Sequence, residues 1–242
     1  MKNLEDRESI SLKNDTLTRF NTYLSELLSS TIESIKRRAT LIISWLSHWL
    51  NYLMYEDKFN PKMLKRYSKG EIIKAQFGFN VDKELGGVHY ALVLDKYDNN
   101  HKHTLTVVPL SSLKNRDKNK LGDRLYLGDE PKISINKKFK ENLKKLKQKI
   151  DILEQEMKSS SSNKKAIDDK IEYFRKQLDH NLLISKELSY MNDKTIALTN
   201  QIKTISKMRI INPKVPQDAL ANITVPLAIM NSITNKIKKL YI

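Results

Sequence analysis

The sequence predicts an α+β protein in which helices flank a strand-rich middle region. Glycine serves turns and weakens helix interiors, and all six glycines of the 242-residue chain lie between Gly70 and Gly128. On both sides of that region, apolar residues recur at spacings of three and four, which indicates amphipathic helices. Within it, short runs rich in Ile, Val, Tyr and Thr indicate strands. We therefore expect helical flanks around a turn-rich β region.

Residues 1–68 are predicted to form a helical extension. One apolar face runs from Leu17 to Ile35, and another follows the basic cluster Lys36–Arg38, so two or three helices are expected before Pro61. The most apolar run, "TLIISWLSHWLNYLM", is shorter than the roughly 20 residues of a membrane span and contains Ser, His and Asn. We expect a buried or interfacial helix there, and no transmembrane span.

Residues 69–134 are predicted to form the first part of a β domain. The segments "EIIKAQF", "HYALVLDKY", "HTLTVVPLS" and "GDRLYLGD" have the composition of strands and are separated by Gly, Asn and Asp. Residues 190–242 are expected to complete this domain, with a strand-like segment "TIALTNQIKTISK" and a C-terminal helix that begins at about Pro216.

Residues 135–189 are predicted to form an antiparallel helical hairpin that turns at "SSSSN". Apolar residues alternate at spacings of three and four on both arms, as in a coiled-coil seam. They are Leu143, Leu146, Ile150, Leu153 and Met157 on the first arm, and Ile167, Ile171, Phe174, Leu178 and Leu182 on the second. Because strand-like segments both precede and follow it, we expect the hairpin to be an insertion into the β domain.

The formal net charge of +16 favours a polyanionic partner, because a field of this sign concentrates polyanions. Nucleic acid is the first candidate. The alternatives are an anionic membrane surface, or lysines that serve only solubility. Between Leu113 and Ile150 there are thirteen Lys or Arg residues against five Asp or Glu.

The absence of cysteine excludes disulfides, thiolate nucleophiles and thiolate zinc sites. The segment "MKNLEDRESISLKND" has no apolar signal-peptide core, so a cytoplasmic protein is expected.

Five segments of the β region stand in a fixed order along the chain: "KGEIIKAQF", the loop end "KELGG", "HYALVL", "VVPLSS" and "LTNQIKTISK". They resemble five segments that members of the PemK/MazF family of toxin endoribonucleases carry in the same order. The resemblance covers residues 69–112 and 195–242. It leaves the first 68 residues and the hairpin unexplained.

This resemblance implies a small SH3-like β-barrel with a C-terminal helix, and cleavage of single-stranded RNA without a metal or cofactor. Family members are usually homodimers whose interface groove takes the RNA, and an antitoxin protein occupies that groove. For the N-terminal helices of this chain, burial against the barrel is the simplest expectation; the alternatives are that they occupy the groove as an autoinhibitory segment, stabilise a dimer or rest on a membrane surface. The expected partners are therefore single-stranded RNA, an antitoxin and a second copy of the chain.

The site residues follow from the positions that match the family motifs. The usual Arg of "RPALVL" falls on His89, and the usual Thr of the "TS" pair falls on Ser111. An imidazole titrates near pH 6.5 and suits acid–base catalysis, whereas a serine hydroxyl can donate a hydrogen bond to a phosphate oxygen. We predict His89 and Ser111 as catalytic. The predicted RNA-binding residues are Lys83, Tyr90, Ser112, Lys114 and Lys203.

Three features leave alternatives open. Neighbouring residues on a strand point to opposite faces, so His89 and Tyr90 share a pocket only if a bulge intervenes. Because His replaces the family's Arg, a catalytically silent RNA-binding or adaptor module on the same fold is the main alternative. The apolar face around Trp45 and Trp49 also suits a membrane-surface or scaffold protein.

Other titratable residues are expected to be structural. His101 and His103 form a His-x-His pair, but "NNHKHT" reads as a hairpin turn without a third ligand, so no metal site is predicted. Glu71 and Glu84 are expected to be strand-edge and loop charges.

Overall fold

The computed structural model describes residues 2–113, 121–159 and 164–242, and the side chains of residues 2–5, 156–159 and 164–168 are not described. The chain forms two compact units, Met1–Asp57 and Lys58–Ile242.

The first unit is a pair of helices, α1 (Lys2–Ser29) and α2 (Glu33–Tyr55), that pack against each other. The apolar spacing of the sequence accounts for both helices, since Phe20 and Leu24 of α1 are half-buried and Ala39 and Ile42 of α2 are buried. Within the described residues, no helix combines the length and the apolar content that crossing a bilayer requires.

The described residues of the second unit form seven strands, and all the pairs between these strands are antiparallel. The strands are β1 (Ile72–Gln76), β2 (Val88–Val93), β3 (Thr104–Ser112), β4 (Leu125–Gly128), β5 (Thr195–Ala197), β6 (Lys203–Ser206) and β7 (Ile210–Asn212). The sheet has the order β4-β5-β3-β2-β1-β7, and β6 pairs with β3. The predicted α+β class is confirmed. The predicted barrel is not, because no pair joins the end strands β4 and β7 in the described part of the chain.

The segment expected as one late strand is two strands, β5 and β6. The backbone turns between them, where the amide of Gln201 donates to the carbonyl of Leu198 at 2.9 Å. The two strands pair with different parts of β3, which runs past both of them. Strand-like composition does not report such a turn, because composition is insensitive to the pairing partner.

Alternate residues of the strands bury two separate clusters. One cluster, here called the helix core, contains strand residues such as Ile72, Leu92 and Val108 together with residues of the helices. The other, here called the sheet core, contains Tyr67 and Phe77 and residues from the opposite strand faces. Its strand residues are Ile73, Ala75, Ala91, Val93, Leu105, Val107, Ile205 and Ile210. The sheet is therefore buried on both faces, as the period of two in its side chains allows.

Helices α3 (Glu130–Ser159) and α4 (Lys164–Tyr190) form the two arms of the predicted hairpin and contact each other. Ile135 of α3 and Ile184 of α4 are both buried in the helix core, so the hairpin packs on the sheet. The predicted turn at "SSSSN" falls largely on residues 160–163, which lie outside the described residues.

The C-terminal helix α5 (Leu227–Tyr241) begins later than predicted. The expected start near Pro216 is wrong, because the residues that precede α5 form turns and Pro226 occupies the N-cap position. Proline has no backbone N–H and clashes with the carbonyl four residues earlier, so it starts a helix but does not sit within one. Within the described residues there are also three short 3₁₀ helices: Glu56–Lys58, Pro61–Met63 and Lys207–Arg209.

Candidate active site at the end of the β2–β3 ladder

A small cavity opens where the pairing between β2 and β3 stops. The register runs from Val93 opposite Val107 to Ala91 opposite Pro109, and β3 then continues by pairing with β5. The cavity has a volume of about 250 Å³. It is lined by Val88, His89, Tyr90, Leu110, Ser111, Ser112, Tyr190, Met191, Asn192 and Thr195. The two residues predicted as catalytic, His89 and Ser111, thus line the same cavity.

The strand period explains why His89 and Ser111 lie together. His89 has the same parity along β2 as Ala91 and Val93, and Ser111 has the same parity along β3 as Val107. Those residues belong to the sheet core. Consistent with that side, the His89 ring packs edge-on against Phe77, with 6.5 Å between ring centroids.

His89 is held by its surroundings in a defined state. Its Nδ1 lies 3.2 Å from the carbonyl oxygen of Leu110, which can only accept a hydrogen bond. A neutral ring that donates from Nδ1 to this carbonyl keeps a lone pair on Nε2. Burial lowers the pKa of His89, although the carbonyls of Leu110 and Gly86 oppose this shift. The lowered pKa favours the neutral ring near pH 7, which is the state that a general base requires.

Tyr90 faces the helix core rather than the side of His89, as strand alternation requires. Its hydroxyl donates a hydrogen bond to the carboxylate of Glu187, on α4. Burial, and then the hydrogen bond and charge of Glu187, raise the pKa of Tyr90 well above its ordinary value near 10. Tyr90 and His89 nevertheless line the same cavity, and the β1–β2 pairing has no register shift there, so the expectation that only a bulge would let them share a pocket is wrong. The hydroxyl of Tyr90 is committed to Glu187.

The other predicted RNA-binding residues divide between the cavity and the β1–β2 loop. Ser112 lines the cavity and is exposed. Lys203 donates to the carbonyl of Leu85 at 3.4 Å, and Lys83 is an exposed residue of the same loop; neither is among the cavity lining. Lys114 lies outside the described residues.

Gln201 ties the β1–β2 loop to the connection between β5 and β6. Its side-chain oxygen accepts from the amide of Leu85 at 2.7 Å, and its side-chain nitrogen donates to the carbonyl of Lys83 at 3.3 Å. Asn80 adds bonds from its amide nitrogen to the carbonyls of Phe77 and Leu85. The loop beside His89 is therefore fixed by side chains.

Three lining residues come from a part of the chain that the sequence did not connect with the site. Tyr190, Met191 and Asn192 come from the end of α4 and the residues after it, and not from a segment with family-like motifs. The helical period predicts α4 but does not indicate that its C-terminal end reaches β2 and β3. No signal in the sequence identifies these residues as part of a site.

Glu71 and His103 both have defined neighbours in the structure. Glu71 is not a strand-edge charge at the surface: it is fully buried, pairs with Lys65 at 2.6 Å, and accepts from the amides of Ser68 and Asn222. His103 packs edge-on against Phe59, with 5.6 Å between ring centroids. In the ranges that the structure describes, no group of three or more His, Asp or Glu side chains is placed to hold a metal ion.

The cavity lining combines apolar side chains with uncharged polar ones. Across the described part of the chain, the lining residues include hydroxyl, imidazole and amide side chains but no Lys or Arg. This arrangement can transfer a proton through His89 and donate hydrogen bonds through Ser111 and Ser112.

No family model matches the sequence, and no curated protein matches it significantly.

Proposed function

We propose that the protein is a metal-independent endoribonuclease that cleaves single-stranded RNA, as the toxin of a cytoplasmic toxin–antitoxin pair with an SH3-like arrangement of its sheet. The observation that carries the proposal is the presence of His89 and Ser111 in one cavity. The motif order supports it independently, since these are the residues that fall on the family's functional positions.

In the proposed reaction, the 2′-oxygen of a ribose attacks the neighbouring phosphorus and the bond from phosphorus to the 5′-oxygen breaks. His89 Nε2 accepts the proton of the 2′-hydroxyl. Ser111 donates a hydrogen bond to a non-bridging oxygen of the charged phosphorane. The imidazolium that results is an acid of suitable pKa for the leaving 5′-oxygen. The products are a 2′,3′-cyclic phosphate and a 5′-hydroxyl end.

The test is cleavage of a long single-stranded RNA by the purified full chain in EDTA. We expect wild-type cleavage, and for His89→Ala a loss of about 10²–10⁴-fold, the usual contribution of a general base. Ser111→Ala should also slow the reaction. His101→Ala is the matched control, because His101 is exposed in the turn that follows β2.

Thermal unfolding of each variant shows whether a loss of activity reflects a loss of folding. End analysis of the products should detect the cyclic phosphate. An intact RNA with wild-type protein, or equal rates for wild type and His89→Ala, contradicts the proposal.

The cavity lining also favours a second candidate, an RNA-binding module that does not cut. The described lining contains no cation to stabilise a phosphorane, and the family's Arg is replaced by His89. This candidate predicts that wild-type protein binds the same RNA without cleaving it.

A further inference from the structure

The far wall of the cavity comes from the helical hairpin. Tyr190 is the last residue of α4, and Asn192 lies in the connection to β5; both line the cavity that contains His89 and Ser111. A volume of about 250 Å³ is smaller than the roughly 300–1,000 Å³ of pockets for drug-sized ligands. It suits a single planar group beside a phosphate linkage rather than a longer stretch of chain.

Tyr190 is an exposed aromatic ring on a fixed backbone. The residue is 58% exposed, whereas the next residue, Met191, is 4% exposed in the helix core. One turn earlier, the carboxylate of Glu187 accepts a hydrogen bond from the hydroxyl of Tyr90, and its Oε2 lies 3.1 Å from the ammonium of Lys74. The last turn of α4 is therefore anchored, and Tyr190 at its end lines the cavity.

The Tyr190 ring also has a cation beside it. The ammonium of Lys74 lies 4.9 Å from the ring centroid, within the range of a cation–π contact. Nucleic-acid-binding proteins stack bases on aromatic rings and use nearby positive charge for the backbone, and such stacking tolerates any base.

Asn192 contributes a side chain that can distinguish between bases. Its backbone carbonyl accepts from the hydroxyl of Thr195 at 3.0 Å, and Thr195 pairs with Ser112. The segment is further held by the bond of 2.7 Å from the Leu113 amide to the Lys194 carbonyl. An asparagine amide offers both donors and an acceptor, which is the chemistry that reads the edge of an unpaired base.

We propose that Tyr190 and Asn192 form a nucleobase subsite, in which a base next to the scissile linkage of single-stranded RNA stacks on Tyr190 and presents its edge to Asn192. This inference rests on the proposed function for the identity of the ligand. It assigns to the inserted hairpin a direct part in substrate recognition.

The test measures binding separately from cleavage. Fluorescein-labelled 12-mers of 2′-O-methyl A, C, G and U have no 2′-hydroxyl to attack, so they stay intact with the wild-type full chain. Fluorescence anisotropy at one fixed salt concentration then gives the four dissociation constants. We expect Tyr190→Ala to weaken binding of the preferred oligomers by about 5- to 150-fold, the effect of losing one stacked base. Tyr190→Phe and Tyr190→Trp should retain binding.

Tyr173→Ala is the matched control. Tyr173 is also an exposed tyrosine of α4 with a lysine ammonium near its ring, that of Lys149 at 4.4 Å, but it does not line the cavity. The Tyr173→Ala variant should leave all four dissociation constants unchanged. Asn192→Ala should alter the order of preference among the four oligomers more than the mean affinity. The retained binding of Tyr190→Phe shows that the fold survives substitution at this position.

The outcomes separate the subsite from the proposed function. Tyr190-dependent binding by a protein that cuts no RNA supports the subsite and contradicts the nuclease. If the wild-type protein cleaves RNA but Tyr190→Ala binds all four oligomers with wild-type affinity, the subsite is overturned and the proposed nuclease function stands. Failure of wild-type protein to bind any oligomer overturns the subsite, as does binding of free nucleoside monophosphates as tightly as the oligomers.

Discussion

The hydroxyl of Tyr90 donates a hydrogen bond to Oε2 of Glu187, the same oxygen that lies 3.1 Å from the ammonium of Lys74. This contact joins β2 and β1 to α4, because the three residues come from these elements. The strand that carries His89 and the helix that carries Tyr190 therefore meet through one polar cluster, and the hairpin is part of the same framework as the sheet.

Tyr90→Phe should destabilise the protein without a change in overall fold. It removes the donor but leaves Lys74 to pair with Glu187, so we expect a loss of about 1.5–3 kcal/mol, typical of a hydrogen bond to a charged group. Urea denaturation measures it. Tyr97→Phe is the control, since Tyr97 is 75% exposed and should change stability by less than about 0.5 kcal/mol. Equal midpoints for the two variants would contradict the role of this contact.

Lys207→Met should be among the most destabilising substitutions in the second unit. Lys207 and Asp98 form an ion pair of 2.6 Å in which both side chains are at most 1% exposed, and Asp98 also accepts from the amide of Tyr67. Removing the cation leaves a buried carboxylate, which costs about 3–5 kcal/mol.

The control for that pair is Lys132→Met, which breaks a pair of 2.7 Å between Lys132 and the largely exposed Asp193. An exposed pair contributes about 0–1 kcal/mol, so this variant should unfold close to wild type. Thermal or urea unfolding of both variants checks the contrast. A Lys207→Met protein as stable as Lys132→Met would show that the buried pair is not needed.

Gly86→Ala should disturb the loop beside His89. A Cβ atom at this position would lie 2.6 Å from the backbone oxygen of Gly78, so the backbone must shift. Overpacking of this kind costs about 1–3 kcal/mol. We expect lower stability and slower RNA cleavage, because the Gly86 carbonyl is one of the groups that act on the His89 ring.

A matched control is Ala substitution at Gly122, where nothing lies within 4 Å of the added Cβ but φ is +53°. This variant carries backbone strain without the clash. It should lose some stability and keep its cleavage rate. Equal cleavage rates for the two variants would show that the loop at Gly86 does not affect the site.

The pH dependence of activity should report the lowered pKa of His89. As a general base His89 must be neutral, so kcat/KM should rise with pH through an inflection below the ordinary histidine value of 6.5. Initial rates between pH 4.5 and pH 8 measure it. A profile in which activity falls as pH rises through this range would assign His89 the opposite role, that of an acid.

Stability should follow the same group with a defined sign. The pKa of His89 is lower in the folded protein than in the unfolded chain, so the unfolded chain binds more protons near and below pH 6.5. The contribution of the neutral ring to the free energy of unfolding is complete above pH 6.5. It is lost as the pH falls through the pKa that His89 has in the folded protein. Urea unfolding of wild type and His89→Gln at several pH values should show wild type losing more stability on acidification. A constant difference would contradict this.

Local patterns predicted most of the elements. The confinement of glycine, the strand runs and the seam of the hairpin correspond to β1–β4, α3 and α4 in the structure. The period of two along a strand correctly predicts that Tyr90 packs against the helix core. It did not predict that Tyr90 and His89 line the same cavity, which they do without a register shift between β1 and β2. The late strand and the start of α5 were predicted incorrectly, because a turn at Leu198–Gln201 and the N-cap at Pro226 interrupt patterns that look continuous in composition.

Local patterns were enough to predict the element types, their order and the side of each strand on which a residue lies, because these depend on repeats of two or 3.6 residues along the chain. Folding alone brings Tyr190 and Asn192 to the cavity of His89 and Ser111, and it buries Glu71 and Lys207 as ion-pair partners. Those relationships depend on strand pairing and helix packing between segments far apart in the chain, and a local period carries no information about which distant segment supplies the partner.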